Sequence, residues 1–545
     1  PAETVFNENQ VDIDFRVEGN GNANVLFVEG ETDRVAMGHN NPSSKLHIDG
    51  PNDLTGGITL TAGAQEHTWF LQTDLENVHN IGSSSSSAAH VWQSNGNEIF
   101  RAHPSQFKIA AGVDLITTTA GTDNLRIGDG AGDAVTGQDC TIIGHDAGTT
   151  LTSGISNTLM GSRAGDALNG SGGGADNNVA IGTLALTTDV EGNRSTAIGH
   201  GALESQSMGN NVSFNTAVGF GSGGAISSGQ SNTVIGYNSG TFISTGAANT
   251  FVGAAAGTGI TGTRITGSNN TAIGQAAGED LRAAANNNTF VGKESGTSAT
   301  TSGLNTFLGS GAGLLTTSSG NNTMVGGEAG PAVLGTNNTG VGVGCLTLCT
   351  GSLNTTLGVS SGIAITSGDS NLMIGVNSGR AGHPGGAVST ADNQLCMGDN
   401  NITHAFIKVD WTVTSDQRDK TDFTALDLGL DFVKALNPVT FKWDSRRKYL
   451  TDDNKDTADL NTITNDGTHK EDWTDVGFKA QEVVALEEAA GYTYGSKANL
   501  TTSLTSDGKQ YGIQYSKFVP ILVKAIQEQN ALIEALTARV ATLEG

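Results

Sequence analysis

The chain has 545 residues, a net charge of −26 and 77 glycines, about twice the ordinary glycine share of ~7 %. That acidity argues against nucleic acid as a partner, because phosphate binding needs clustered lysine and arginine, and no apolar run is long enough to span a bilayer as a helix. With charged residues at 15 % and aromatics at 5 %, several thick cores are excluded, and the periodic return of glycine excludes disorder.

The chain opens Pro1-Ala2-Glu3-Thr4, with neither an initiator Met nor a secretory signal, so a processed form or a fragment is expected. Residues 1–50 carry Asp14-Phe15-Arg16-Val17-Glu18-Gly19, Val35-Ala36-Met37-Gly38 and Pro42 through Ile48, short alternating strands that form an N-terminal β connector. Residues 51–120 read as a second β-rich domain, with Trp69, Phe70, Trp92 and Phe100 on strands and Ser83–Ser87 as a loop. In so aromatic-poor a chain these rings are expected in the core rather than stacked on sugars.

Residues 121–402 are a repeat. Asn232-Thr233-Val234-Ile235-Gly236, Asn270-Thr271-Ala272-Ile273-Gly274 and Asn322-Thr323-Met324-Val325-Gly326 are typical of sixteen copies centred on glycines from Gly128 to Gly398. Most steps are 16 to 18 residues, the spacing of a stacked array. Ile, Val, Leu or Met always precedes the glycine, and is expected to point inward as one row, including Ile235, Val252, Ile273, Val291 and Val325. Ala or Ser sits three residues after it in nearly every copy, the mark of a tight interior; Cys345 takes that place once, as a packed thiol rather than half of a metal pair with Cys349. Asn stands four residues before the glycine in thirteen copies, where its side chains can stack into a hydrogen-bond ladder. Insertions near Asn169–Asp176, Gln206–Ser213, Gly259–Ser268 and Ala381–Ala391 are expected to lengthen loops, where receptor contacts would lie, without disturbing strands.

So narrow a β-coil leaves an apolar flank it cannot cover, which three chains about an axis would bury. The repeat is similar to that of trimeric autotransporter adhesin heads, and the resemblance implies a trimeric β-roll.

Residues 403–545 change character. Glycine falls and helices appear, with a polar arm at Lys448–Asp472. Leu522, Ile526, Gln529, Ile533, Leu536, Val540 and Leu543 recur four and three apart over residues 519–543, a heptad seam with one polar layer at Gln529. Four blocks stand in order: Thr414-Ser415-Asp416-Gln417-Arg418-Asp419-Lys420, Leu436 through Trp443, Gly477 through Val483, and Tyr515 through Leu522. As a set they resemble the S74 peptidase family of intramolecular chaperones, found at the C-termini of phage endosialidases and tail fibres. The resemblance implies a nucleophile at Ser415, a lysine base at Lys420 and a cut at the Thr414–Ser415 bond. Chemically, lysine is a base only when neutral, which burial and the like charge of Arg418 would favour while Asp416 and Asp419 oppose it.

The expected fold class is therefore mainly β: a trimeric β-solenoid or β-roll-like shaft, then a C-terminal α+β chaperone domain ending in a trimeric coiled coil. The expected function is a structural, receptor-binding phage tail fibre, extracellular on the virion and made in the host cytoplasm. Its expected partners are two further copies, a host surface glycan or outer-surface protein, and other tail proteins at the N-terminus. No cofactor, metal, nucleic acid or membrane insertion is expected. The alternatives are a glycan-degrading tailspike, for which Asp74, Glu76 and Glu98 are the mild carboxylate candidates, and a bacterial trimeric adhesin, which would end in a membrane barrel.

Overall fold

The computed structural model describes short strands between residues 15 and 109, then residues 123–545 apart from 210, 211, 381, 382, 451–458, 493–499 and 506. The chain divides into two compact units, Pro1–Ile116 and Thr117–Gly545. In the first, Phe15–Gly19, Asn22–Glu29, Arg34–Met37 and Leu46–Ile48 form a four-stranded sheet. Gly57–Ala62 pairs with Gln65–Phe70, and His90–Ser94, Asn97–His103 and Gln106–Ile109 form a small antiparallel sheet. Asp74, Glu76 and Ser83–Ser87 lie outside the described residues, as do the side chains of Trp69, Phe70, Trp92, Glu98 and Phe100.

The second unit begins with a parallel β-solenoid. Sixteen three-residue strands, from Leu125–Ile127 to Leu395–Met397, stack in order as one parallel sheet. Their register is unbroken: Thr233 pairs with Thr250, and Thr250 with Thr271, although the second step is longer. The longest step, ending at Leu395, likewise leaves Leu372 opposite it. Insertions are thus absorbed between strands, as expected.

Adjacent residues of a strand face opposite ways, and here the sequence reading needs correction. The inward row is the middle residue of each strand: Val234, Phe251, Ala272, Phe290 and Met324 are fully buried. The aliphatic residue before the glycine faces out. Ile235 and Ile273 are 38 % and 40 % exposed, and Val252, Val291 and Val325 are half-buried. The physical cause is a one-residue phase, which in a strand exchanges the two faces completely. Middle positions run from Gly340 to Phe251 in size because each coil fills its own interior differently, so their row is irregular in sequence. The regular row is the outer one. In the interior, Phe290 and Phe307 stack with centroids 5.2 Å apart.

The small position three after the glycine is buried as expected, with Cys345 fully enclosed and its thiol pKa raised chiefly by burial. The repeat glycine is required twice over. Gly253 has φ +136°, and a Cβ there would lie 2.5 Å from the Gly274 carbonyl oxygen of the next coil.

The asparagine ladder forms inside the coil. Asn249 Oδ1 accepts from the backbone N–H and Nδ2 of Asn270, both at 3.0 Å. Asn249 Nδ2 donates to Asn232 Oδ1 and to the Gly267 carbonyl. The left-handed residue is the one before each rung, such as Ala248 or Asn269, rather than the rung itself. At Ser195 the ladder lacks an amide. Gln206 fills the gap: its Nε2 donates to Ser195 Oγ and to the buried Asp189, and its Oε1 accepts from Asn215.

Past the last strand the chain passes through a turn at residues 400–401 and a bend at residues 408–409, with no further strand, to a small α/β region. It comprises α1 (Leu430–Ala435), the antiparallel pair Val439–Phe441 with Asp475–Gly477, α2 (Ala480–Ala489), the pair Thr502–Leu504 with Tyr511–Ile513, and α3 (Phe518–Glu544).

Candidate functional site

The Ser415 block is a short capped turn. A 3₁₀ turn spans Gln417–Asp419, and Asp416 caps it by accepting from the Arg418 N–H at 2.9 Å. Asp416 also holds the Arg418 guanidinium through an ion pair of 2.6 Å. That side-chain hydrogen bond is the main cause that sets the Asp416 carboxyl below its ordinary pKa. Lys420 closes the turn by donating its N–H to the Gln417 carbonyl. The turn returns the Lys420 side chain to Ser415, five residues earlier, and Nζ lies 2.5 Å from Ser415 Oγ and 3.3 Å from the Ser415 carbonyl oxygen.

This is the contact a serine–lysine dyad needs. A neutral amine at that distance accepts the hydroxyl proton, and the alkoxide so formed is the nucleophile. Two parts of the expectation differ. The Arg418 charge is engaged by Asp416 rather than held free beside the lysine. Ser415 and Lys420 are both exposed rather than enclosed.

The other three sequence blocks meet in one core. Leu428, Phe432, Val483, Phe518 and Ile521 are buried together, with Leu436, Phe478 and Ile513 packed against them. Phe478 and Phe518 stack at 5.4 Å, and the Tyr515 hydroxyl accepts from the Phe478 N–H. The Ser415 block stays outside this core.

Three ties in the domain had no signal in the sequence, because each joins residues remote along the chain. Glu487 on α2 is buried and accepts from the Thr501 N–H at 2.6 Å, from the Thr501 hydroxyl and from the Thr502 hydroxyl. Glu528 on α3 accepts from the Leu430 N–H at 2.7 Å, which caps α1 and is the main cause lowering the Glu528 pKa. A Cβ at Gly429 would lie 2.1 Å from that carboxylate, so a larger residue there would push the Glu528 side chain off the Leu430 N–H. Asp507 accepts from the Ala387 N–H at 3.0 Å, joining the domain to the last loop of the shaft.

On α3, Phe518, Ile521 and Ala525 are buried against the domain. Leu522, Ile526, Gln529, Ile533, Leu536, Val540 and Leu543 are all exposed along the remaining helix. Among the described residues no helix is long and apolar enough to cross a membrane.

Residues 415–492 match the family model Peptidase S74, chaperone of endosialidase, so the match opens on Ser415 itself. No curated protein and no solved structure matches the chain. An S74 chaperone region following a β-solenoid shaft fits a protein of the tail-fibre or tailspike kind.

Proposed function

We propose that this chain, a β-solenoid shaft followed by an S74 chaperone domain, is one protomer of a homotrimeric phage tail fibre that attaches the virion to its host. In this reading the C-terminal domain gathers three chains, sets their register, and then cuts itself off between Thr414 and Ser415. The observation that carries the reading is the Lys420 amine 2.5 Å from the Ser415 hydroxyl at the first residue of the S74 match.

Physical arguments support each step. Three glycine-rich chains find a common register slowly, because loop closure must precede the contacts that reward it. A clamp at one end removes that search. The free seam on α3, Leu522 to Leu543, is suited to a three-stranded coil, and the Asp507–Ala387 hydrogen bond gives the clamp a hold on the last coil. The outward aliphatic row along the solenoid supplies a surface for neighbouring shafts. Severing the clamp afterwards makes unfolding irreversible, since refolding information has gone. Receptor contacts belong on the solvent-facing parts of the inserted loops, such as residues 261–264, which a rigid scaffold presents.

The test is a denaturing gel of heated and unheated protein together with native mass spectrometry. Wild type is expected to run as a trimer when unheated. Ile533→Asp, which would bring three carboxylates together near the seam axis, is expected to give no soluble trimer. A monomeric wild-type particle would overturn the reading.

A further inference from the structure

The last loop of the shaft, between Leu372–Ile374 and Leu395–Met397, meets the C-terminal domain. His383 lies in that loop, only 6 % exposed, and its ring holds a turn together. Nδ1 accepts from the Gly385 N–H at 2.9 Å, and the His383 carbonyl accepts from the Gly386 N–H at 2.7 Å. An accepting nitrogen carries no proton, so the ring is neutral with its proton on Nε2.

The next residues of the turn dock the domain. A Cβ at Gly386 would lie 2.6 Å from both Asp507 Oδ1 and Thr505 Cβ, so loop and domain are in close contact there. The Ala387 N–H donates to Asp507 Oδ2 at 3.0 Å. Arg446 donates to the Lys509 carbonyl at 2.8 Å, which ties that hairpin turn to the 3₁₀ turn Arg446–Tyr449. The neighbouring Arg447 is near enough to His383 to oppose a charge on the ring.

We infer that His383 is an acid-sensitive latch between the shaft and the C-terminal domain. A proton added at Nδ1 turns the acceptor into a donor, expels the Gly385 N–H and loosens the turn that presents Ala387 to Asp507. The groups around the ring set the direction. Burial is the main cause holding the His383 pKa below its ordinary 6.5, and Arg447 adds to it, while the Gly398 and Met397 carbonyls and Asp399 oppose. Cys396, beside Gly385, is a neutral thiol whose pKa burial raises, and Arg380 is turned to Asn377. Burial alone would raise the Asp507 pKa, but hydrogen bonds from Thr505, Ala387 and Lys509 outweigh it and hold the carboxyl below its ordinary value. Asp507 therefore stays charged where histidine titrates. The seated ring binds a proton less readily than the released one, so the latch is complete above about pH 6.5 and weakens as pH falls toward the folded value. The inference rests on the reading of this domain as a clamp, and adds a condition under which the clamp lets go.

Hydrogen exchange tests it in the Ser415→Ala chain, which is whole whether or not the wild type cuts. Protection of the Gly385, Gly386 and Ala387 amides, corrected for the intrinsic pH dependence of exchange, is the readout. It should fall by up to about tenfold per pH unit between about pH 6.5 and 5, while the coils around Asn249 keep theirs. Asparagine places an oxygen where His383 has Nδ1 and does not titrate, so His383→Asn should stay protected at neutral pH and in acid. His383→Phe, with no acceptor, should be poorly protected at both. Equal protection of the unsubstituted loop at neutral pH and at about pH 5 overturns the latch. So does a His383→Asn chain that loses protection in acid as His383 does. The pH series with His383 in place decides alone where a variant fails to fold. Native mass of the same sample reads assembly separately: a monomer whose loop still opens in acid overturns the homotrimer and leaves the latch standing.

Discussion

Lys420 Nζ lies 2.5 Å from Ser415 Oγ, yet both residues are open to water. Contact is thus built into the turn itself. Wild type is expected to yield two fragments, one ending at Thr414 and one starting at Ser415. Ser415→Ala and Lys420→Ala should each leave the full 545-residue chain. Lys420→Arg should do so too, because a guanidinium keeps its proton. Intact mass of each purified variant decides this. Wild type that stays uncut after complete folding would make the domain a retained cap.

The asparagine ladder predicts a local and sizeable stability loss. In Asn249→Ala, the Asn270 N–H loses its acceptor and the Gly267 carbonyl loses a donor, both inside the coil. Each orphaned buried group costs about 1–3 kcal/mol. Hydrogen exchange should therefore speed up in the coils flanking residue 249, while Ser318→Ala, on an exposed turn, should change nothing. Equal exchange in the two variants would mean the ladder contributes little.

Sequence made the ladder legible because an amide rung has few substitutes, so Asn recurs at a fixed offset. The same holds for the glycine at which a Cβ would meet the next coil, as at Gly253, and for the enclosed small position at Cys345. What misled was the aliphatic row. Ile235 is regular because it belongs to a uniform outer surface, while the inward neighbour varies from Gly340 to Phe251 to suit each interior. The dyad was legible as a spacing and a resemblance, but its state of exposure was not, since that depends on neighbours beyond the turn. Glu487 meeting Thr501, and Glu528 meeting Leu430, had no pattern at all, since they depend on how α2 meets the Thr502–Leu504 hairpin and how α3 meets α1.

The substitute rung at Ser195 should respond to pH. Asp189 is buried, and burial raises its pKa, against lowering by hydrogen bonds from Gln206, Met208 and Gly192. Its folded pKa thus lies above the unfolded value, so its contribution is complete below the unfolded pKa and is lost as pH rises through the folded one. Asp189→Asn removes that dependence. Protection of amides near residues 189–215 should therefore shift in favour of the variant as pH rises from below the carboxylate range to neutrality. A constant difference between the two proteins would show that the carboxyl titrates normally.

Val234 and Ile235 are neighbours with opposite fates, and aspartate at each separates coil from assembly. Val234 is fully buried within the solenoid, so Val234→Asp forces a charge into the coil interior, at a cost of several kcal/mol, on the order that buried unpaired ions carry. The coil itself should open, visible as new protease cleavage around residue 234. Ile235 is 38 % exposed, so in Ile235→Asp the carboxylate reaches water while a chain is alone. The coil should stay resistant to protease. If the outer row packs against other shafts, however, assembly would bury the new charge, and the unheated trimer band should weaken while secondary structure by circular dichroism is unchanged. A heat-resistant Ile235→Asp trimer would mean that this row faces solvent in the fibre. Opening of the coil in both variants would instead make Ile235 an interior residue, against the alternation of faces along the strand.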